Sequence, residues 1–177
     1  MILNRTMLTG SLCFVLLFIF MEVFVASFIP AMISTFHLPQ FMPMFIIYLG
    51  VKWDSPYRPI YILILNLIHA TFSTEGWAIG TFLGVLLAMP LSSLREIIHF
   101  NSNLVLTIFS FFFHLVWFFL GTIIFAMKND NYELIKLYSM PILFKSLFLS
   151  FCTPVIFKIL ERFWLNSNGN EKGLNHV

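Results

Sequence analysis

Apolar residues run along the chain in six blocks separated by short polar or turn-forming interruptions. Three blocks, 7–29, 104–127 and 137–160, are long and carry little charge. Hydrocarbon takes about 20 residues per helical crossing, so each of these predicts a transmembrane helix. Three shorter blocks, 38–53, 60–72 and 77–91, fall below that length. They predict short spans in a locally thinned bilayer or, for the last two, a re-entrant hairpin buried against protein. The interruptions fit this pattern. Trp53-Asp54-Ser55-Pro56-Tyr57-Arg58-Pro59 is a proline-bearing polar turn flanked by interfacial aromatics, and Ser73-Thr74-Glu75-Gly76 offers cap-forming residues ahead of a helix. From Asn166 onward Asn, Gly and charge replace the apolar pattern. That predicts a single transmembrane helical domain, 1–165, followed by a disordered cytoplasmic tail, 166–177.

Composition turns this into a class. Of the 177 residues, 59% are hydrophobic and only 10% charged, against roughly 25% charged in an average soluble domain. Such a chain cannot cover its core with a water-facing surface, so its main solvent is lipid. The expected fold is all-α, a polytopic membrane bundle of about six helices with no room for a soluble catalytic domain. A formal charge of +2 from singly scattered Lys and Arg excludes a nucleic-acid binder. Cys13 and Cys152 lie inside apolar stretches and read as small packing residues. The first block outlasts the roughly 7–15 apolar residues of a signal peptide, which makes it a retained helix.

Charge asymmetry sets an orientation. Over six crossings, one side collects Arg5, Lys52, Arg58, Arg95, Lys158, Arg162 and Lys172, and the other only Lys128 and Lys136. Both termini are therefore expected in the cytoplasm. A re-entrant hairpin in place of the third and fourth crossings would leave every remaining loop on its side.

Few residues are equipped for chemistry. Glu22 lies deep in the first block, where an ionisable group costs about 2.5–3.5 kcal/mol even on an insertion scale. It needs a partner, and an ion pair with Lys145 of the last block is one expectation. A protonated Glu22, or Lys145 snorkelling outward, are the structural alternatives, and a bound-ion, proton or substrate site is the functional one. Asn66 and His69, three positions apart, share a helical face. His114 is the lone ionisable residue of the Phe-rich stretch 109–119. No HxxxH or HExxH spacing preorganises these groups for a metal, so each His reads as a core histidine and no metal or other cofactor is expected. Gly76, Gly80 and Gly84 form a side-chain-free stripe, which lets a helix approach closely, either from within the chain or from a docking membrane protein. Phosphate loop, nucleophile elbow and Cys-x-x-Cys are all missing, and the few polar groups form no acid, base and nucleophile set, so enzymatic activity is not expected.

Three stretches carry a likeness that spans nearly the whole chain. They are Leu38-Pro39-Gln40-Phe41-Met42-Pro43-Met44-Phe45-Ile46-Ile47-Tyr48-Leu49-Gly50, a proline-initiated apolar segment; His69-Ala70-Thr71-Phe72-Ser73-Thr74-Glu75-Gly76, a small polar turn leading into the glycine stripe; and Thr153-Pro154-Val155-Ile156-Phe157-Lys158-Ile159-Leu160-Glu161-Arg162, a proline before an apolar helix end with basic residues. Together they resemble the rod shape-determining protein MreD family of the bacterial inner (cytoplasmic) membrane. Glu75 and Gly76 come later than the acidic residue and glycine that the family often places in its second stretch. The resemblance implies a six-helix fold akin to the substrate-binding components of energy-coupling-factor transporters. It further implies a non-enzymatic scaffold or regulator of cell elongation, partnered with MreC and, through it, with the MreB filament and the peptidoglycan synthases. The alternative is a vitamin- or metal-binding subunit of such a transporter, with Glu22, Asn66, His69, His114 and Lys145 lining an intramembrane pocket.

Overall fold

Every predicted block contains a helix in the structure, a computed structural model that describes residues 5–28, 40–52, 57–72, 77–97 and 102–168. The elements are α1 (Arg5–Phe28), α2 (Met42–Lys52), α3 (Arg58–Ala70), α4 (Trp77–Ile97), α5 (Asn103–Lys128) and α6 (Glu133–Asn168), with no strand among the described residues. The chain is thus an all-α helix bundle. Helices α1, α5 and α6 each contain a stretch long and apolar enough to cross a membrane, whereas α2, α3 and the apolar part of α4 are shorter. Helix α6 continues to Asn168, two residues beyond the point where the tail was expected to begin. The remainder of that tail and the expected turn 73–76 lie outside the described residues.

Local chemistry explains several boundaries. Pro43 and Pro59 sit in the first turns of α2 and α3, where a missing N–H costs no helical hydrogen bond. The turn between α5 and α6 places Asp130 at φ 50°, a left-handed conformation that Asp tolerates better than most residues. Asn131 Oδ1 then accepts the Glu133 N–H at 3.2 Å to start α6. Pro90 lies within α4, and Pro141 and Pro154 within α6. Such interior prolines are tolerated in lipid because neighbouring groups take over the freed backbone positions.

Side-chain contacts fix the direction of each helix. Ser11 meets Tyr61 and Glu22 meets His69, so α1 and α3 run parallel. Phe14 stacks on Tyr48 while Phe18 packs edge-on against Phe45, so α1 and α2 run antiparallel. Gly84 faces Ile46 and Gly50 faces Leu91, which makes α2 and α4 parallel. Tyr48 against Phe157 and Lys52 against Glu161 do the same for α2 and α6. A short turn joins α5 to α6 as an antiparallel pair, with Ser110 level with Ser150 at its far end. Consecutive helices alternate in direction throughout.

The burial pattern departs from that of a water-soluble bundle on the outside, not in the core. Helix α2 is buried from Met42 to Val51 and packs against α3, α4, α5 and α6, with Phe14 and Phe18 of α1 closing its remaining side. A helix apolar all round belongs in such a central position. Outward-facing residues are apolar as well. Leu12, Leu16 and Phe20 on α1, Ile108, Phe112 and Val116 on α5, and Phe144, Phe148 and Phe151 on α6 are all exposed. These stripes suit lipid rather than water.

Candidate functional site

Among the described residues, the buried polar side chains fall into three sets. The first joins α1 to α3. Glu22 and His69 are both buried, and His69 Nδ1 stands within hydrogen-bonding distance of Glu22 Oε2, at 3.0 Å. Eight residues earlier on α3, the Tyr61 hydroxyl donates to Ser11 Oγ at 2.7 Å. A pair with Lys145 was one of the readings open for Glu22, and it is corrected: the carboxyl group meets His69 instead. The physical reason is direction and depth. Because α1 and α3 are parallel and Ser11 is level with Tyr61, Glu22 reaches the height of His69. Glu22 Oε1 has no hydrogen-bond partner, so the pair satisfies only half of the carboxylate.

The second set joins α3 to α4. Asn66 is buried and donates from Nδ2 to the Ile62 carbonyl at 2.8 Å, one turn back. That hydrogen bond turns its Oδ1 toward Gly80, where even a methyl group would collide with it. A methyl on Gly84 would stand 2.7 Å from Ile62 Cγ2 and 3.1 Å from Ile46 Cδ1. Gly80 and Gly84 thus form an internal seam for α3 and α2. Of the two readings of the stripe, packing within the chain and docking of another membrane protein, these two positions take the first. Gly76 lies outside the described residues.

The third set lies between α5 and α6. In the antiparallel register, Ser110 is level with Ser150, His114 with Ser146, Phe118 with Ile142, and Thr122 with Tyr138. Ser110, His114, Ser146, Ser150 and Thr153 are all buried. The hydroxyls of Ser150 and Thr153 donate to carbonyls of their own helix, at 2.7 and 2.8 Å. Both ring nitrogens of His114 and the Ser146 hydroxyl lack a hydrogen-bond partner. His114 instead stacks on Phe118, with ring centroids 6.4 Å apart. Beyond Phe118 the two helices and α4 separate around a cavity of about 160 Å³. Gly80, Leu83, Trp117, Phe118, Gly121, Thr122, Phe125, Tyr138 and Lys145 line it, with Gln40 just ahead of α2.

Of the five polar residues that the transporter alternative places in one pocket, Lys145 alone lines this cavity. Glu22 and His69 pair elsewhere, Asn66 is engaged at the glycine seam, and His114 lies one turn below the cavity floor. No group of three or more His, Cys, Asp or Glu positioned to hold a metal occurs among the described residues. Three contacts were not anticipated: Ser11 with Tyr61, the cavity position of Gln40, Thr122 and Tyr138, and the ion pair of Lys52 with Glu161 at 2.8 Å. The last had a signal, since Lys52 and the basic residues flanking Glu161 were assigned to the same membrane face. The others depend on helix rotation, which a strongly apolar sequence leaves unmarked.

Compared with known proteins, the chain matches no family model, no curated protein and no solved structure.

Proposed function

We propose that this chain is a non-enzymatic membrane scaffold of the MreD type, crossing the bacterial inner membrane six times with both termini in the cytoplasm. In this role it holds MreC and, through it, ties the peptidoglycan synthases to MreB. One observation carries the reading. Glu22, His69 and Asn66 are turned inward and engaged in contacts between helices, while the exposed faces of α1, α5 and α6 are apolar. A molecule built this way keeps a fixed shape in lipid and offers apolar helix faces to other membrane helices. The resemblance of its three sequence stretches to the MreD family supplies the partner class.

The test is affinity purification of the tagged chain from its native host in mild detergent, with mass spectrometry of retained proteins and small molecules. MreC and wall synthases are the expected co-purifying partners. Recovery of an ATPase module carrying a bound vitamin would overturn the scaffold in favour of transport. Interface variants belong on the exposed faces, at Phe112 or Phe144, because a large side chain at Gly80 disrupts the fold itself.

A further inference from the structure

We propose that the outer face of α6 binds one anionic phospholipid, its phosphate held by Lys158 and Arg162 and an acyl chain laid along Phe148, Phe151 and Val155. The site goes beyond the scaffold reading and needs only a chain embedded in lipid, so either can fail without the other. Helical geometry brings these residues together. At about 100° per residue, all five fall within about 80° of one another around the axis of α6. Phe148, Phe151, Val155, Lys158 and Arg162 are exposed, whereas Leu149, Ile156, Phe157 and Leu160 on the opposite side of the helix are buried.

Length along the axis fits one leaflet. A rise of about 1.5 Å per residue puts Lys158 about 15 Å from Phe148 and about 33 Å from the exposed Lys136 near the start of the helix. The hydrocarbon core is about 30 Å thick, so the two lysines bracket it and Phe148 lies near its midplane. The apolar stripe below Lys158 thus runs the depth of a single leaflet, which is the reach of one acyl chain. Charge selects the headgroup. Among the described residues neither Lys158 nor Arg162 has a side-chain ion-pair or hydrogen-bond partner. Glu161, between them in sequence, faces α2 and is taken by Lys52 at 2.8 Å. One turn apart, an ammonium and a guanidinium therefore end the stripe without a counter-charge from the protein. A lipid phosphate supplies it, accepting a forked pair of hydrogen bonds from the arginine and a point charge from the lysine. A choline headgroup would bring its own cation to the same spot, so a lipid of net negative charge is preferred.

The test is native mass spectrometry of the full-length chain in mild detergent, titrated with phosphatidylglycerol and with phosphatidylcholine of the same acyl chains. Saturable binding of a first phosphatidylglycerol is expected, at least about tenfold tighter than phosphatidylcholine. Lys158→Gln combined with Arg162→Gln should remove that preference, each cation contributing roughly fivefold. Because both side chains are exposed, the melting temperature should stay in place. Lys136→Gln, which deletes an exposed cation at the other end of the same helix, should leave the preference intact. Glycerophosphate carries the anionic group without acyl chains and should not displace the lipid. Equal binding of the two lipids, a preference that the double variant retains, or an equal loss on Lys136→Gln overturns the site. Displacement by glycerophosphate at comparable concentration overturns it too, in favour of a simple ion site. Should a variant fail to fold, the two lipids and glycerophosphate on the unaltered chain still decide.

Discussion

At Glu22 and His69 the molecule makes its most costly local commitment. Two groups that lipid would reject are placed 3.0 Å apart inside the bundle. Removing one partner of a buried pair typically costs about 3–5 kcal/mol, while replacing both by apolar residues is often neutral. His69→Leu is therefore expected to lower stability by about 3 kcal/mol, and Glu22→Leu combined with His69→Leu to recover most of that loss. Unfolding of the single and double variants in lipid or detergent measures the difference. Strict additivity of the two substitutions would mean that the contact carries no coupling. The need of Glu22 for a partner was legible in the sequence because an ionisable group in an apolar run is costly to leave alone. Its partner was not, because the direction and depth at which α3 packs on α1 bring His69 to it, and neither is written in the sequence.

At the scale of elements, glycine determines how closely helices approach. The stripe on α4 announced close packing in the sequence, but not against what, since a missing side chain carries no information about its neighbour. The structure supplies that neighbour in Ile62 and Asn66 of α3 and Ile46 of α2. Gly84→Ala should cost about 1–3 kcal/mol by overpacking. Ile62→Ala removes the Cγ2 that the new methyl would strike, so the double variant should be less destabilised than the sum of the singles by about 1 kcal/mol. A double-mutant cycle on the melting transition measures this, and zero coupling would place the strain elsewhere. Helix α6 starts four residues before its apolar block and ends eight after it, while the extents of α1 and α5 were legible, since their long apolar runs leave few alternatives. The end of α4 was not. Beyond Leu91 the helix continues through Ser92, Ser93, Leu94, Arg95 and Glu96, where polarity resembles that of a loop.

Across the whole molecule, alternation of direction has a measurable outcome. Helices α1, α3 and α5 point one way and α2, α4 and α6 the other, so Arg5 and Asn168 lie at the same end of the bundle. Fluorescent-protein fusions at the two termini, which mature only in the cytoplasm, are expected to glow equally. Alkaline phosphatase activity from one terminus alone would require an odd number of crossings. Lys52 and Glu161 lie at the same end, and being partly exposed their pair contributes only about 0–1 kcal/mol. They align α2 with α6 more than they stabilise either.

The buried position of α2 also bears on biogenesis. Eleven residues rise about 16 Å, roughly half the thickness of the hydrocarbon. While the nascent chain is being threaded into the bilayer, α1 can stand alone in lipid, but α2 has neither the length nor the companions to do so. Its surroundings are complete only after α4, α5 and α6 have been synthesised. The middle of the finished protein is thus the last part to settle, and a chain truncated before α5 would present α2 to membrane quality control as an orphaned segment.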